Sequence, residues 1–495
     1  MKAIVDRDKK RKHDRKRERF ERAASQHGRA HAGTIEEVEE STLLSNHEGV
    51  FLGHLPNEGG EGQDVYAAGN YHLSVIGGPG DLKSMAIGVP TILESENSLI
   101  INDPSSELLG ICRAALEAKG FDVRVLTPFP HEVSKITGRE VEDAGLDLFS
   151  EFDPSMDPAS IRTKLMARMQ WLMPGKPDMD EKSSFFYRDG RMLGCFLGMH
   201  DIKEGRKPSL TSIRKHLMLG PHRLAELFEE AEDSPAFGGV YAELAGSLGG
   251  LLARAPQQFA GGYGICQQAV EAFDAFSAMG QHTSKEGFDP RGLTDPDKRT
   301  AVFLVSTLPM MEVCSSLTAM TLSYLFDTIA KEPGDRVTAI IDECGGLKMP
   351  QLAPSLLFYR KAGLRVAMIW QDLAAQAEKN FGKAAMKQIM SASLLKVLLG
   401  TQEPETLRMF SELCGSKAVA DVAMHDRTAS SERLADLGQG INHKTVPLYR
   451  PEEIRTMDRS ELLVIGGNLQ PLKLTKVPYW TRPGWLEQAG PSPFK

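Results

Sequence analysis

Two carboxylates follow an apolar run in the last third of the chain. Residues 338–343 read Thr-Ala-Ile-Ile-Asp-Glu, so Asp342 and Glu343 come directly after a predicted buried strand. In an open parallel sheet, the carboxyl ends of the strands face the ligand crevice. One acid there could hold Mg²⁺ through water, and the other could polarise the water that attacks a phosphate. The alternative is an acidic strand end that only marks the return of the chain to solvent.

A neutral amide closes the next apolar run, residues 365–371. Gln371 can donate a hydrogen bond to a phosphate oxygen and accept one from water. Because both strands would end at the same edge of a parallel sheet, Gln371 is predicted to lie beside the two acids. These residues favour the core of a motor that hydrolyses a nucleoside triphosphate.

A glycine-rich segment far upstream supplies the phosphate loop that such a motor needs. Residues 77–84 read Gly-Gly-Pro-Gly-Asp-Leu-Lys-Ser and follow a predicted strand over 71–76. A phosphate loop combines a glycine at the turn, backbone N–H groups, a lysine for the β- and γ-phosphates and a hydroxyl for Mg²⁺. The candidate nucleotide-binding residues are Gly77, Gly78, Gly80, Lys83 and Ser84, and Ser84 is also a candidate metal ligand.

Two residues of this segment depart from the pattern. Leu82 stands where a glycine usually precedes the lysine, and Asp81 places a negative charge beside the expected phosphates. A glycine-rich turn without a ligand, or a loop that has lost its affinity, therefore stays open. A further apolar run, residues 98–103, also ends on an acid. We expect Asp103 to be an exposed helix N-cap in the crevice wall and not the metal site.

Composition and charge narrow the class of protein. With 41 % hydrophobic and 25 % charged residues, the chain has the composition of an ordinary soluble globular protein. Its net charge of −8 argues against wholesale wrapping of nucleic acid but allows a local basic channel. Six cysteines without a Cys-x-x-Cys pair favour reduced thiols over disulfides or a zinc ribbon. The sequence also lacks a long uninterrupted apolar run and the apolar core of a signal peptide.

Strand and helix patterns change along the chain in a way that indicates one interrupted domain. They alternate from about residue 65 to 130, as in a parallel α/β sheet. Between about 155 and 295, apolar residues recur at helical spacing, which predicts an all-helical insertion. Strand patterns return at 301–305, 337–341, 365–370, 394–399 and 462–465.

These patterns divide the chain into five predicted segments. They are a basic arm over 1–40 that is helical or disordered, a first nucleotide-binding part over 41–155, an all-α insertion over 156–295, a second nucleotide-binding part over 296–482 and a tail over 483–495. The basic arm could touch anionic lipid or nucleic acid, although a solvated arm is the simpler interpretation.

An ordered set of motifs resembles the TraG/TraD type IV coupling proteins over about residues 65–480. The motifs are 77–93 with Lys83-Ser84, 103–107, Asp342-Glu343-Cys-Gly-Gly-Leu347, Arg360-Lys-Ala-Gly-Leu364, Gln371-Asp-Leu, Leu399-Gly-Thr401, Pro451-Glu-Glu-Ile454 and Pro478-Tyr-Trp480. The resemblance implies an α/β fold, a RecA-like P-loop nucleotide-binding domain with an inserted all-α domain. It implies a hexameric ATPase that uses ATP and Mg²⁺ to bring relaxase-bound single-stranded DNA, or protein effectors, to a type IV secretion channel.

The resemblance also implies roles for the candidate residues. Lys83 and Ser84 would bind phosphate and Mg²⁺, and Asp342 would hold the metal. Glu343 would activate water, and Gln371 would sense the γ-phosphate. Such assignments agree with the chemistry of the residue types.

Arg360 corresponds to an arginine that the family is thought to extend into the nucleotide site of a neighbouring subunit. Such a finger stabilises the charge of the transferring phosphoryl group and makes hydrolysis depend on assembly. The alternative is a surface arginine near a helix C-terminus ahead of Gly363.

The family normally begins with transmembrane helices, and a basic arm stands in their place here. The chain is then a cytosolic form or a fragment, or a partner supplies the membrane anchor. We expect a cytoplasmic location at the inner face of the bacterial inner membrane. Two other functions stay open: a non-hydrolysing adaptor that docks substrates beside a degenerate nucleotide site, and a RecA-like motor that moves duplex DNA.

Overall fold

The computed structural model describes residues 30–494 except 58–59, 333, 335, 372, 374–376 and 423–440. Most of the predicted basic arm, residues 1–29, thus lies outside the described residues. The last part of that segment contains a short helix, α1 (Ile35–Glu39), whose N-cap is Thr34.

In the described part of the chain, twelve strands form one sheet and two form a separate hairpin. The strands are β1 (Leu44–Ser45), β2 (Val50–Asn57), β3 (Gly60–Ala67), β4 (His72–Gly77), β5 (Ser98–Asp103), β6 (Asp122–Leu126), β7 (Thr300–Val305), β8 (Val337–Ile341), β9 (Leu364–Trp370), β10 (Ser393–Gly400), β11 (Ser416–Val422), β12 (Ile441–Pro447), β13 (Glu461–Gly466) and β14 (Leu472–Thr475). The order in the sheet is β1-β3-β2-β14-β13-β10-β4-β9-β8-β5-β7-β6, and β11 pairs with β12.

The seven strands from β10 to β6 in this order run parallel. β13 is antiparallel to β10, and β14 is antiparallel to β13, so β14 again runs in the direction of β4. Consequently β4, β8, β9, β10 and β14 all end at one side of the sheet, here called the carboxyl edge. β2 and β3 extend the sheet beyond β14 as an antiparallel hairpin.

Helices cover both faces of the sheet and fill the long connection between β6 and β7. Those packed near the sheet are α2 (Val89–Glu94), α3 (Glu107–Ala118), α4 (Pro130–Thr137), α12 (Met311–Lys331), α13 (Leu352–Lys361), α14 (Glu378–Phe381), α15 (Lys383–Ala392), α16 (Pro404–Leu413), α17 (Pro451–Arg455) and α18 (Pro483–Gln488). Successive residues of β4 belong to the hydrophobic cores on opposite faces of the sheet, Val75 to one and Ile76 to the other. This is the burial expected of central parallel strands.

The connection between β6 and β7 contains the predicted helical insertion. Its helices are α5 (Pro158–Leu172), α6 (Glu181–Lys203), α7 (Leu210–Leu217), α8 (Gly220–Ala231), α9 (Val240–Arg254), α10 (Pro256–Val270) and α11 (Ala278–Ser284). α10 and α11 are separate helices, and α11 begins after Ser277, whose side chain caps it by accepting a hydrogen bond from Gly280 N. The exact limits of the five predicted segments stay predictions.

The predicted strands are present within one or two residues, but the sequence did not predict β1–β3, β11, β12 or β14. The β2–β3 hairpin carries Gly53, Pro56, Gly60 and Gly62, which interrupt any alternation of apolar and polar residues. β14 has only four residues. These strands depend on pairing with the sheet more than on a local pattern.

The strand predicted at 301–305 is β7, and the apolar residues that follow it form the core helix α12. Among the described residues, two helices have the length and composition to cross a membrane, Ala236–Arg254 and Leu308–Lys331. Their best windows are 22 % and 67 % buried inside the protein, respectively. Core helices of soluble proteins also have these properties, so the finding is weak evidence for a membrane span. All six cysteines are free and buried.

Candidate nucleotide-binding site

Ser84 and Asp342, which are 258 residues apart in the chain, are in direct contact. The loop after β4 leads into a π-helical turn, Ser84–Gly88, and Asp342 directly follows β8. Ser84 Oγ lies 2.9 Å from both Asp342 Oδ1 and Oδ2, and it donates its hydrogen to this carboxylate. The fold therefore brings together the two residues that the sequence assigned to Mg²⁺.

Burial makes the Asp342 carboxylate costly to ionise without a cation. Burial raises the pKa of Asp342 to about 6, while the Ser84 hydrogen bond and the Lys83 charge oppose this rise. Asn102, at the end of β5, fixes the backbone of Asp342 by exchanging two hydrogen bonds with it. A buried carboxylate beside a hydroxyl is the oxygen donor set that Mg²⁺ prefers, so these residues fit the metal.

Glu343 has a strained backbone and a side-chain oxygen without a partner. Its φ of 60° is in the left-handed region, which residues other than glycine seldom adopt. Its Oε1 atom is buried and lacks a hydrogen-bond partner among the described residues. Burial, followed by the charge of Asp342, raises the pKa of Glu343 to about 7. A carboxylate with this pKa is suited to accept a proton near neutral pH.

The phosphate loop satisfies its polar groups internally. Lys83 Nζ donates to the carbonyl oxygens of Gly77 and Gly78, at 2.7 and 2.9 Å. Gly78 N donates to Asp81 Oδ2 at 2.7 Å, so a carboxylate occupies a position where a phosphate oxygen would accept. Burial lowers the pKa of Lys83, although the acids Glu343, Asp342 and Asp81 oppose this effect. Nucleotide binding would have to replace these contacts.

Leu82 adopts the conformation for which the usual glycine is suited. Its φ is 61°, and that of Gly80 is 82°, so the loop has two left-handed residues. A leucine in this conformation costs roughly 1–2 kcal/mol relative to right-handed backbone. Leucine at position 82 therefore raises the conformational energy of the loop but leaves its backbone path unchanged.

A cleft of about 370 Å³ opens between the phosphate loop and the acidic strand end. It is lined by Gly80, Leu82, Lys83, Ser84, Met85, Pro104, Ser105, Glu107, Leu308, Met311, Asp342, Glu343 and Gln371. Most candidate site residues line it, while Gly77 and Gly78 accept the hydrogen bonds of Lys83 at its base. The sequence patterns gave no role to Asn102, and they included the α3 residue Glu107 only as the end of the 103–107 motif. Only their positions at the end of β5 and the start of α3 could have indicated them.

Arg360 is the candidate residue that the structure does not bring to this cleft. It lies exposed near the end of α13, with its guanidinium 5.4 Å from the centre of the Tyr71 ring. β9 separates Arg360 from Gln371, and a strand of seven residues spans about 20 Å. Arg360 is therefore on the opposite side of the sheet from the cleft of its own chain. Both earlier alternatives, a surface arginine and a residue that reaches another subunit, fit this position.

Asp103 was predicted to be an exposed helix N-cap, but the N-cap of α3 is Ser106 and Asp103 is not exposed; its carboxylate nevertheless accepts hydrogen bonds from the first turn of α3. Its carboxylate is fully buried and accepts hydrogen bonds from Leu109 N at 2.8 Å and Glu107 N at 3.1 Å. β5 lies between β8 and β7 in the sheet. α3 begins just beyond the carboxyl end of β5 and covers it. Burial raises the pKa of Asp103 to about 7.

Comparison with known proteins identifies the family. The family model "Type IV secretory system Conjugative DNA transfer" matches residues 34–493. The chain belongs to this family. Among curated relatives, it is 22 % identical to conjugal transfer protein TraG of Rhizobium radiobacter over 443 residues, covering 86 % of the chain and 65 % of the relative. It is 23 % identical to a probable TraG of Sinorhizobium fredii (strain NBRC 101917 / NGR234) over 436 residues, covering 86 % and 64 %.

Solved structures of this family share the fold. The bacterial conjugative coupling protein TrwBdeltaN70 with sulphate matches with a TM-score of 0.61 and 19 % identity, covering 82 % of the chain and 85 % of that structure. Plasmid coupling protein TrwB in complex with ADP and Mg²⁺ matches with a TM-score of 0.60 and 18 % identity over the same shares. The predicted α/β fold with a RecA-like P-loop domain and an inserted all-α domain is thus confirmed. The chain spans slightly less than two thirds of the TraG relatives.

Proposed function

We propose that this chain is the ATP-driven coupling protein of a conjugative type IV secretion system. It recruits relaxase-bound single-stranded DNA, or a protein substrate, and feeds it to the transfer channel. The observation that carries this proposal is the Ser84–Asp342 contact, which joins a phosphate loop to an acidic strand end beside Glu343. Family membership supports the conjugative role, and solved TrwB complexes with ADP and Mg²⁺ or with ADPNP support nucleotide binding.

Each candidate residue of the cleft has a separate role in ATP hydrolysis. Ser84 and Asp342 hold Mg²⁺, which when bound supplies positive charge to the phosphate oxygens. Lys83 releases the carbonyl oxygens of the loop and turns to the β- and γ-phosphates. Glu343 accepts a proton from the attacking water, and Gln371 orients that water.

Arg360 completes the site of the neighbouring subunit in a ring of six. It lies far from the cleft of its own chain, and an exposed apolar pair, Leu357 and Phe358, stands beside it on α13. Leu308, which lines the cleft, and Val313 of α12 are likewise exposed. Apolar patches on different sides of one molecule can pair head to tail, and such contacts close into rings. This arrangement makes hydrolysis depend on assembly.

The other partners follow from the conjugative role. We propose contacts with the relaxosome and with components of the secretion channel, at the inner face of the bacterial inner membrane. A membrane-anchored partner fits this location if the chain carries no anchor of its own. The chain acts in the cytoplasm in this account.

A non-hydrolysing docking adaptor is the second candidate. It is favoured by the hydrogen bonds within the loop. The Asp81 carboxylate already accepts the hydrogen bond of Gly78 N–H, and Leu82 stands in place of a glycine. A loop that remained in this state would not admit a triphosphate, and the helical insertion alone would then dock substrates.

ATP turnover by the Lys83→Ala variant separates these functions. We expect the wild-type chain to hydrolyse ATP with Mg²⁺, faster with single-stranded than with duplex DNA, and the variant to lose at least about 100-fold in kcat/KM. Lys331→Ala is the matched control, because this lysine is exposed and pairs with Asp327 on the same helix. Wild-type protein without turnover at any concentration, with or without DNA, would support the adaptor, and preferential stimulation by duplex DNA would favour a duplex motor.

A further inference from the structure

Lys476 lies at the carboxyl edge of the sheet, directly after β14. β14 runs in the direction of β4 and is separated from it by β13 and β10. Lys476 and the phosphate loop therefore emerge from the same side of the sheet. The backbone of Lys476 is fixed there by a hydrogen bond from its N–H to Ser460 O at 2.6 Å.

Lys476 is buried without a direct partner. Its side chain is only 6 % exposed, which is unusual for lysine. In the described part of the chain, its ammonium makes no hydrogen bond or ion pair. Burial lowers the pKa of Lys476, whereas Asp81, and then Asp458, oppose this effect; Arg459 and Lys83 add to it. Among the charged groups that act on this ammonium, Asp81 of the phosphate loop has the largest effect.

The position of Lys476 relative to the metal site indicates which phosphate it faces. In the sheet, β8 with Asp342 lies on one side of β4, and β14 with Lys476 lies on the other. In a phosphate loop, the serine and the lysine serve the β- and γ-phosphates at the metal, while backbone N–H groups cradle the α- and β-phosphates. The side away from Asp342 is therefore the α-phosphate side.

The Asp81 carboxylate stands where a phosphate oxygen would accept a hydrogen bond from the loop. It accepts the Gly78 N–H and packs against Gly400, where an added Cβ would lie 2.8 Å from Asp81 Oδ2. Gly400 ends β10, which stands between β4 and β13. Asp81 thus occupies the part of the loop that is nearest to Lys476.

We propose that Lys476 is a second phosphate-binding lysine, which contacts the α-phosphate of the bound nucleotide from the side opposite Asp342. This inference rests on the proposed function. Asp81 supplies a negative charge that acts on Lys476, and the bound nucleotide takes over this role. Because the Lys476 ammonium makes no hydrogen bond or ion pair in the described part of the chain, it can bind a phosphate without breaking one.

Nucleotide affinity of the Lys476→Met variant tests the inference. Methionine keeps the buried stem and removes the charge. We expect the Kd values of MgADP and of a non-hydrolysable Mg-ATP analogue to rise by the same factor, about tenfold, because both ligands carry the α-phosphate. Lys473→Met is the matched control, since this lysine is also on β14 but pairs with Glu461 at the surface. It should bind both nucleotides like the wild type, and Lys476→Arg should retain most of the affinity.

A second background distinguishes phosphate binding from simple neutralisation of Asp81. In the Asp81→Asn variant, which keeps the hydrogen-bond acceptor but not the charge, Lys476→Met should still weaken both nucleotides about tenfold. Loss of this effect would mean that Lys476 serves only Asp81 and would overturn the inference, as would wild-type affinity of a folded Lys476→Met variant. If the wild-type chain itself binds no nucleotide, the proposed function fails first.

Discussion

At the scale of single residues, the cleft contains two of the five left-handed residues other than glycine in the described part of the chain. Leu82 and Glu343 both adopt left-handed backbone, and Glu343 also has a buried oxygen without a partner. Asp342 and Glu343 are two neighbouring acids whose pKa values burial raises. Such strain and charge persist only where the surrounding structure enforces them, and they are typical of functional sites. The motif residues thus differ from ordinary loop residues in their energetics as well as in their spacing.

The raised pKa of Glu343 predicts a pH-dependent rate. A general base works only when ionised, and with a pKa of about 7 in the free protein a large fraction of Glu343 is protonated at lower pH. We expect kcat/KM for ATP to rise between about pH 6 and pH 8 and then to level off. The profile is measured at saturating Mg²⁺. A flat profile over this range would contradict the assigned role, and Glu343→Gln should have almost no activity at any pH.

At the scale of elements, the sequence predicted the strands that are themselves rich in apolar residues. The seven residues of β9 are all buried and mostly apolar, so the pattern is clear without context. The β2–β3 hairpin was not predicted, because its glycines and Pro56 interrupt the alternation and pairing with the sheet decides its course. Without β14, nothing in the sequence placed Lys476 near the phosphate loop. Asn102 was missed for the same reason, since its partner, Asp342, is 240 residues away.

The hydrogen bonds that Asp103 accepts from α3 predict a measurable contribution to stability. Asp103→Ala would leave the buried N–H group of Leu109 without its acceptor and would remove one of the two acceptors of Glu107 N. We expect the free energy of unfolding to fall by about 2 kcal/mol, measured by chemical denaturation. Asp122→Ala is the matched control, because Asp122 is half exposed and pairs with Arg124 at the surface; it should change stability by less than about 0.5 kcal/mol. An equal effect of both substitutions would argue against this contribution.

The pKa of Asp103 gives this contribution a pH dependence of known sign. Burial raises its pKa in the folded state to about 7, from an ordinary value near 4. The folded state then binds the proton more tightly, so this group favours folding most at low pH and loses that contribution as the pH rises to about 7. The stability difference between Asp103→Ala and the wild type should accordingly be larger at pH 5 than at pH 8. If the difference grew with pH instead, the hydrogen bonds that Asp103 accepts would stabilise its ionised form by more than burial destabilises it.

At the scale of the whole molecule, the sheet separates two functional sides. The carboxyl edge carries the cleft, and the opposite side carries Arg360 with the exposed residues Leu357 and Phe358. Under the proposed function, Glu343 and Arg360 are two halves of one site, and because they lie too far apart in one subunit to act together, that function requires a second copy. The resemblance found in the sequence suggested this arrangement, but the distance between the halves became visible only in the fold.

Assembly should therefore depend on the apolar pair on α13. Phe358 is 68 % exposed, and Phe358→Asp would place a charge in the proposed subunit contact. We expect this variant to remain a monomer in sedimentation velocity runs with Mg²⁺ and an ATP analogue, under conditions in which the wild type assembles. Phe276→Asp is the control, because Phe276 is 90 % exposed on the helical insertion and away from α13. Normal assembly of the Phe358→Asp variant would exclude α13 from the interface.

The central claim is that ATP is hydrolysed at a site composed of Glu343 from one subunit and Arg360 from the next. The most direct test is the ATP turnover of a mixture of Glu343→Gln and Arg360→Ala proteins. Each variant alone should be nearly inactive. In randomly mixed rings, about a quarter of the interfaces combine an intact Glu343 with an intact Arg360, so about a quarter of the wild-type turnover should return if the sites act independently. A mixture that stays as inactive as its components, although the subunits assemble together, would contradict the account.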